Sequence, residues 1–329
     1  MKSKYLSIIV PVFNAEATLE KCLEAIRNIK GFSKECELIV ADDGSDDSSW
    51  DIAKKYTDKI VRSPKNEGAA FTRNLGARSA KGEFLLFVDS DVILSTLDIL
   101  SYLKEDFPRN DICGIAGIYA EETIFTNFFS AYKHLDMCFH EKTYPKFSPG
   151  VPAAILAVPR KIFLESGGLN ENFSGVTAED IEFSVRMACA TNKLWMRDER
   201  ISGVHCKKYT FLSLLKTDYL RVKGLARIIQ RKDYKDNYLK SCPSSAFYPF
   251  MSALLVILLF FASLFYFNFL RLALGALLLF FLIKFNFFRY LKKKRGAFFA
   301  LRAALFSLCE MILAAAFASY WQIIFKFKK

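Results

Sequence analysis

The sequence lacks the short motifs that mark several common classes of protein. Its eight cysteines are scattered and include no C-x-x-C pair, so they fit reduced core cysteines in a reducing compartment better than a disulfide framework. There is no G-x-G-x-x-G and no Walker sequence, which would indicate a nucleotide-binding loop. The apolar run at residues 6–13 contains Pro11 and is too short for a signal peptide, so we expect the first domain to stay in the cytosol.

Acidic residues are almost absent from the end of the chain. After Lys240 there are 11 Lys and Arg but one acid, Glu310, whereas residues 1–240 carry 35 Lys and Arg against 33 Asp and Glu. The formal net charge of +12 therefore divides into about +2 for the first part and about +10 for the tail. Because the excess lies beside apolar runs, anionic lipid headgroups are expected partners. The nearly neutral first part argues against a nucleic-acid binder.

Short apolar runs alternate with amphipathic stretches from residue 6 to about residue 190, which indicates an α/β domain. We predict strands at 6–12, 37–41, 59–62 and 83–88, and helices at 50–56 and 69–79. A further helix is predicted from the apolar spacing of Leu19, Cys22, Leu23 and Ile26, with Asn14 as its cap. Acidic clusters follow the strands, at 42–47 and 89–91, and the carboxyl ends of strands are where open α/β sheets bind ligands.

Three apolar stretches near the end of the chain predict membrane helices, at 246–267, 269–288 and 298–325. The first has 22 residues without a charge and is long enough to span the hydrocarbon. The second has Lys284 near its end, and the third contains Arg302 and Glu310, so it either spans or lies partly in the interface. The basic loop at 289–295 is expected in the cytosol, on the same side as the first domain.

Two pairs of acidic residues are candidates for metal binding or catalysis, and each also has a purely structural explanation. Asp89 and Asp91, two residues apart after a strand, can bind a hard divalent cation, which in turn binds diphosphate oxygens. An isolated Asp-x-Asp pair also fits a solvated turn. Glu179 and Asp180 equally fit the first turn of an amphipathic helix, where acids interact favourably with the helix dipole.

Six segments, taken together, narrow these alternatives. They are Ser-Ile-Ile-Val-Pro-Val-Phe-Asn at 7–14, Asp-Asp-Gly-Ser at 42–45, Asn-Glu-Gly-Ala-Ala-Phe-Thr-Arg-Asn-Leu-Gly at 66–76, Phe-Val-Asp-Ser-Asp at 87–91, Ser-Gly-Gly-Leu-Asn-Glu-Asn-Phe at 166–173 and Ala-Glu-Asp at 178–180. In order and spacing they resemble family 2 glycosyltransferases of the GT-A fold, a Rossmann-like mixed α/β sheet. The resemblance covers about residues 5–205.

The resemblance implies roles on the nucleotide side of the site. Pro11 and Asn14 would border the base pocket, and Asp43 would accept a hydrogen bond from the imide N–H of a uracil-like base. Asp42 would support that loop.

The resemblance further implies that Gly68 would allow close backbone approach and that Arg73 would face the base or the diphosphate. Asp89 would contact the ribose. Asp91 would ligate Mg²⁺ or Mn²⁺, and the metal would neutralise the departing nucleoside diphosphate.

Asp180 resembles the general base of the family, which takes a proton from the acceptor hydroxyl and gives inversion at the anomeric carbon. If the acceptor is an ionised lipid phosphate, Asp180 would position it instead. His205 matches a third contact to the metal or diphosphate, although a lone His is also a common structural hydrogen-bonding group. The set His134, Asp136 and His140 matches no known metal site, and a helix at the surface or facing the acceptor is expected there.

We predict three parts: a GT-A catalytic domain at 1–205, which the resemblance implies, an amphipathic interfacial segment at 206–242 and an anchor of two or three transmembrane helices at 243–329, which follow from the polar-aromatic and apolar patterns. The chain would be a multi-pass protein of the cell inner membrane with its catalytic domain in the cytosol. It would transfer one sugar from a nucleoside-diphosphate sugar to a polyprenyl-phosphate or lipid-linked acceptor. UDP is the expected nucleotide of that donor.

Two alternative functions fit the sequence less well. A processive polysaccharide synthase is disfavoured, because no Q-x-x-R-W signature occurs, residues 230–234 do not fit it, and no membrane helix is predicted before the domain. A non-catalytic scaffold of envelope glycan assembly would be expected to lack Asp91 or Asp180, and both are present. The sequence leaves the sugar, the acceptor and the oligomeric state open.

Overall fold

The computed structural model describes residues 4–109, 111–173, 178–229 and 244–327. These residues group into two compact units. The first comprises residues 4–124 and 145–207 of the described chain, and the second comprises residues 125–144, 208–229 and 244–327. Residues 125–144, which lie inside the predicted 1–205 domain, therefore group with the second unit.

The first unit is built on a mixed sheet of nine strands. The strands are β1 (Leu6–Val12), β2 (Cys36–Asp42), β3 (Ile60–Arg62), β4 (Phe84–Val88), β5 (Val92–Leu94), β6 (Ile112–Tyr119), β7 (Phe147–Ser148), β8 (Ile155–Pro159) and β9 (Leu194–His205). They lie in the order β3-β2-β1-β4-β8-β6-β9-β5, and β7 pairs with β9. Strands β3, β2, β1 and β4 are parallel, and β8 runs antiparallel between β4 and β6, while β6 and β9 are parallel. The carboxyl ends of β1, β2, β4 and β9 therefore meet at one edge of the sheet.

Helices cover both faces of this sheet. In chain order they are α1 (Leu19–Arg27), α2 (Phe32–Glu35), α3 (Ser49–Tyr56), α4 (Ala69–Ser79), α5 (Ile99–Asp106), α7 (Arg160–Glu165) and α8 (Glu179–Thr191), with α6 in the second unit. Ile8 and Val10 of β1 pack with α1 and α5, whereas Ile9 packs with α4, α7 and α8. Successive strand residues point to opposite faces, so the continuous apolar runs of the sequence reflect a sheet buried on both sides.

The predicted strands and helices of this unit are confirmed to within about one residue at each end. Strand 6–12 and helix 69–79 have the predicted bounds, and Leu19, Cys22, Leu23 and Ile26 are all buried on α1. The prediction that Asn14 caps α1 was wrong, because α1 begins at Leu19 after Thr18. The side-chain oxygen of Asn14 instead accepts the backbone N–H of Asp46 at 3.0 Å.

The second unit is helical. It contains α6 (Phe128–Glu141), α9 (Phe211–Ile229), α10 (Ser244–Ser263), α11 (Asn268–Ile283), α12 (Phe285–Arg295) and α13 (Ala297–Phe327). Its core is rich in aromatic rings: Tyr132 of α6 lies 5.0 Å from Phe306 of α13, and Phe139 of α6 lies 5.1 Å from Phe287 of α12, ring centre to ring centre. Of the predicted interfacial segment 206–242, α9 is described as helix, and residues 230–242 lie outside the described residues.

Within the described helices, α13 is long and apolar enough by itself to cross a membrane, over Ala297–Phe325. The predicted second stretch is bent, because α11 and α12 meet at Lys284 with an angle of 53° and pass the same test only as one broken span. The apolar part of α10, Met251–Ser263, is shorter. Large apolar side chains are exposed along these helices, for example Leu258, Leu274 and Leu301, which are each about 60% exposed.

Candidate active site

The loop after β2 is joined to the loops after β1 and β3 by its acidic residues. The carboxylate of Asp43 accepts the backbone N–H groups of Glu67 at 2.9 Å and of Gly68 at 2.8 Å. Asp42 lies 2.8 Å from Nε of Arg62, and its other oxygen accepts the N–H of Ser45. Both acids are almost completely buried. Asp43 thus holds the backbone immediately before α4 in place.

Asn14, Gly44 and Gly68 are three described positions in this region with positive φ, and Gly44 has φ 74°. Asn14 has φ 49°, which Asn tolerates better than most residues, and its N–H donates to Oγ of Ser45 at 3.0 Å. Gly68 has φ 100° immediately before α4, where a side chain would be strained. Pro11 lies opposite Ala41 in the pairing of β1 with β2. Pro11, Asn14 and Gly68 therefore surround the Asp42–Asp43 loop at the carboxyl edge of the sheet.

Arg73 lies between two carboxylates from different elements. Its Nη2 donates to Oδ1 of Asp89 at 2.6 Å, and its Nη1 donates to Oε1 of Glu179 at 3.1 Å. The prediction placed Arg73 toward the base or the diphosphate, and the structure places its guanidinium against these two acids. Burial raises the pKa of Asp89, against the opposing charge of Arg73.

Asp180 is the first-turn neighbour of Glu179 on α8. One of its oxygens accepts the N–H of Ala153 at 3.2 Å, and the other accepts the N–H of Ile181 at 2.8 Å. The carbonyl of the next residue, Ala154, accepts the N–H of Asp89 at 3.0 Å. Asp89 and Asp180 are therefore bound by two consecutive residues that directly precede β8. Burial and the carboxylate of Asp180 raise the pKa of Glu179 to about 7, with Arg73 opposing the shift.

Asp91 and His205 are brought together by the pairing of β5 with β9. Val92 lies opposite His205 in that pairing, and Nε2 of His205 lies 3.6 Å from Oδ2 of Asp91. The backbone is tied here as well, because the N–H of Cys206 donates to the carbonyl of Asp91 at 2.6 Å. Burial raises the pKa of Asp91, but nearby His205 and Lys207 outweigh it, so this pKa lies below its usual value.

The donor set at Asp91 and His205 fits a divalent cation that shares its ligands with a substrate. A carboxylate oxygen and an imidazole nitrogen are both ligands that Mn²⁺ accepts, and Mg²⁺ favours the carboxylate. Within the described ranges, no group of three or more His, Cys, Asp and Glu side chains is arranged to hold a metal ion. A cation held by Asp91 and His205 would therefore complete its coordination with oxygens of a bound diphosphate and with water.

Sequence reasoning assigned no role to two residues that the structure brings into this region. Glu179 pairs with Arg73, and Lys207 lies close enough to Asp91 to lower its pKa. The Ala-Glu-Asp segment already contained Glu179, but its partner lies 106 positions earlier in the chain. Lys207 carried no sequence signal beyond its place shortly after His205. His134, Asp136 and His140, whose spacing matched no known metal site, lie on α6 of the second unit, where Nε2 of His140 is 3.3 Å from Oδ1 of Asp136.

Comparisons with known proteins show which family the first part of the chain is similar to. Residues 7–152 match the model of the family described as Glycosyl transferase family 2. A poly(ribitol-phosphate) beta-glucosyltransferase of Bacillus spizizenii is 36% identical over 132 residues, which are 36% of this chain and 21% of that protein. Glycosyltransferase GlyG of Streptococcus pneumoniae is 31% identical over 144 residues, 42% of this chain and 47% of that protein. The chain thus spans between a fifth and a half of the length of these two curated relatives.

A solved structure shares the fold at low sequence identity. The mannosyltransferase PcManGT from Pyrobaculum calidifontis, solved in complex with GDP-Man and Mn²⁺, superposes with a TM-score of 0.63 at 16% identity. The match covers 97% of this chain and 88% of that chain. The mixed sheet and the family match agree: residues 7–152 match glycosyl transferase family 2, and the first unit has the GT-A fold.

Proposed function

We propose that the chain transfers one sugar from a nucleoside-diphosphate sugar to a polyprenyl-phosphate or lipid-linked acceptor at the cytosolic face of the membrane. A UDP-sugar is the leading candidate for the donor. The observation that carries this proposal is that Asp89 and Asp180 are hydrogen-bonded to the backbone of two consecutive residues, Ala154 and Ala153, which directly precede β8. A donor-side acid and a candidate base thereby lie side by side, as one displacement reaction requires.

The donor would lie along the carboxyl edge of the sheet. Asn14 and Asp43 flank the position proposed for the base, and Asp89 lies farther along the edge, toward the ribose. Asp91 and His205 would hold Mg²⁺ or Mn²⁺, which would offset the negative charge of the diphosphate. Lys207, which influences Asp91 electrostatically, would add a positive charge on the same side.

Asp180 would receive the proton of the acceptor hydroxyl as its oxygen attacks the anomeric carbon from the face opposite the diphosphate. Attack from that face inverts the anomeric centre. The two backbone N–H groups that bind Asp180 hold its carboxylate in one orientation, which a general base needs. With an ionised phosphate acceptor no proton is transferred, and Asp180 would orient the acceptor instead.

The comparisons support parts of this proposal. The fold neighbour was solved with GDP-Man and Mn²⁺, so guanine donors and Mn²⁺ belong in any assay alongside UDP donors and Mg²⁺. The relative from Bacillus spizizenii is a beta-glucosyltransferase, which supports UDP-glucose as one of the first donors to try. The apolar helices of the second unit support a membrane anchor and, with it, a lipid-linked acceptor.

The test measures sugar transfer by the full chain in its own membranes. Radiolabelled UDP- and GDP-sugars are supplied with Mn²⁺, Mg²⁺ or chelator, and labelled lipid is extracted and sized. We expect metal-dependent transfer of a single sugar, reduced at least about 100-fold in Asp91→Asn and Asp180→Asn.

Asp98→Asn is the matched control, because Asp98 is an exposed acid paired with Lys30 on the surface. It should retain the activity of the unchanged chain. Transfer that survives both the chelator and Asp91→Asn would refute the metal role, and long polymeric products would refute single transfer.

A further inference from the structure

Arg73 is positioned as an internal bridge of the site. It projects from α4 and contacts Asp89, which follows β4, and Glu179, which begins α8. Its side chain is 6% exposed. An arginine that binds a substrate directly would expose its guanidinium to solvent in the unbound protein. The guanidinium of Arg73 is buried instead.

The hydrogen-bonding capacity of Arg73 is directed into the protein. Each of its two Nη atoms donates to a carboxylate, at 2.6 Å to Asp89 and 3.1 Å to Glu179. Its Nε is buried and has no hydrogen-bond partner among the described residues. Leaving a buried donor unpaired has a cost, so the two ion pairs fix the guanidinium orientation strongly enough to offset it.

The two acids that Arg73 joins are sequence neighbours of the residues proposed for chemistry. Asp89 precedes the proposed metal ligand Asp91 by two positions, and Glu179 directly precedes the proposed base Asp180. These pairs lie on different elements, separated by about 90 positions of the chain. A rigid guanidinium between them therefore sets the spacing of the donor-side acids and the base.

The electrostatics of the cluster require a cation at this place. Asp89, Glu179 and Asp180 all act on Arg73 by direct or nearby charge, so one guanidinium opposes three carboxylates. Without it the acids would repel one another and move apart or take up protons. Arg suits the position better than Lys, because its planar fork reaches two separate carboxylates while an ammonium acts as a point charge.

We propose that Arg73 is a positioning residue that couples the donor-side loop to the helix of the base, and that it does not bind the nucleotide or the diphosphate. The proposal rests on the function proposed above. It assigns Arg73 to the rate of sugar transfer and not to donor affinity, which is opposite to the role expected from the sequence.

The experiment compares Arg73→Lys and Arg73→Gln with Arg78→Lys. Arg78 lies on the same helix, is about half exposed and contacts the exposed side chain of Glu171 at 3.6 Å and the ring of Phe71 at 5.7 Å, so it is a matched control. Three quantities are measured on the full chain: kcat and KM for transfer, the Kd of UDP with Mn²⁺, and the midpoint of thermal unfolding. We expect kcat to fall about 100-fold in both Arg73 variants, with the Kd of UDP changed less than about threefold.

A double variant separates positioning from substrate contact. In Arg73→Gln the acids Asp89 and Glu179 lose their cation, so adding Glu179→Gln should recover part of kcat, about tenfold, by removing one repelling charge. If Arg73→Gln does not fold, the same comparison is made with Arg73→Lys and Arg73→Lys with Glu179→Gln.

Two results would overturn the proposal. A loss of UDP affinity of tenfold or more with little change in kcat would make Arg73 a nucleotide ligand. Full retention of kcat in Arg73→Lys would show that a positive charge suffices without the bridge. In both cases the unchanged chain still transfers sugar, whereas absence of transfer by the unchanged chain with every donor would overturn the proposed function and this inference with it.

Discussion

Adjacent carboxylates at the start of α8 have different environments. Glu179 contacts Arg73 and is largely buried, whereas Asp180 is bound by the backbone N–H groups of Ala153 and Ile181. Burial together with the charge of Asp180 raises the pKa of Glu179 to about 7. Glu179 therefore takes up a proton close to neutral pH, well above the range usual for a glutamate.

The raised pKa of Glu179 predicts how stability depends on pH. Between its ordinary value of 4.5 and about 7, the folded chain binds more protons at Glu179 than the unfolded chain does. The contribution of Glu179 to stability is therefore fully present below pH 4.5 and is lost as the pH rises through 7, by on the order of 1–3 kcal/mol.

Thermal unfolding of the detergent-solubilised chain from pH 5 to pH 8 measures this dependence. Glu179→Gln should flatten the fall in unfolding temperature, while Glu165→Gln, at an exposed acid, should leave it unchanged. An equal slope in all three chains would contradict the assigned pKa.

Close packing of α4 on β1 gives the first prediction at the scale of elements. A Cβ at Gly76 would lie 2.4 Å from Cγ2 of Ile9, which is buried in the sheet. Gly76→Ala should therefore destabilise the fold by about 1–3 kcal/mol, despite the better helix propensity of Ala. Chemical denaturation measures the change.

Gly275→Ala in α11 is the helical control, because a Cβ there meets nothing within 4 Å and should not destabilise. The pair Ile9→Ala with Gly76→Ala should cost less than the sum of the two single changes, since each relieves the other. Strict additivity would mean that the clash is absent.

Helix α6 is joined to α9 and α13 by buried charges. Nζ of Lys133 lies 2.9 Å from Asp218 and 3.1 Å from Glu310, and the hydroxyl of Tyr132 donates to Glu310. All four side chains are almost completely buried. Buried ion pairs contribute little net stability, but they disfavour every packing of the helices that would leave one charge unpaired.

Removal of one partner from this network should be costly. We expect Lys133→Met to destabilise the second unit by about 3–5 kcal/mol, because Asp218 and Glu310 would remain as uncompensated buried acids. Lys142→Met, at an exposed lysine directly after α6, should have little effect.

Lys133→Met combined with Glu310→Gln should be less harmful than Lys133→Met alone, since one of the two unpaired charges is gone. Thermal unfolding in detergent measures all three variants. A combined variant that is as unstable as Lys133→Met would argue against the pairing.

The whole molecule consists of a first unit with the GT-A fold and a second, helical unit with an apolar surface. The exposed leucines of α10, α11 and α13 would be unfavourable in water and favourable against lipid. The basic residues Lys292, Lys293, Lys294 and Arg295 end α12 close to these helices in sequence, where anionic headgroups would attract them. Both features favour a membrane-associated protein.

Fractionation of cells tests membrane association and topology. The full chain should remain with the membranes after washing with high salt and with alkaline carbonate, because apolar burial in lipid resists both. Added protease should cut the first unit in inverted vesicles and not in intact spheroplasts. Release by salt alone would indicate purely electrostatic binding, and cleavage in spheroplasts would contradict a cytosolic catalytic domain.

The sequence by itself determined the first four strands of the sheet and indicated the family that residues 7–152 match. Buried strands such as 6–12 are recognisable because apolar runs of that length bounded by polar turns have few other solutions. The acidic loops follow those strands directly, so Asp43, Asp89 and Asp91 were placed at the carboxyl edge without any knowledge of long-range contacts. Local order and spacing carry that information.

Only the tertiary structure decided which residues meet across the chain. The contact of Arg73 with Glu179 spans 106 positions, and His205 reaches Asp91 because β9 pairs with β5. The grouping of residues 125–144 with the C-terminal helices depends on the partners of Lys133. The partners of a side chain depend on how the helices and strands pack. That packing depends on the shape and charge of all the elements together, and a local sequence pattern does not contain this information.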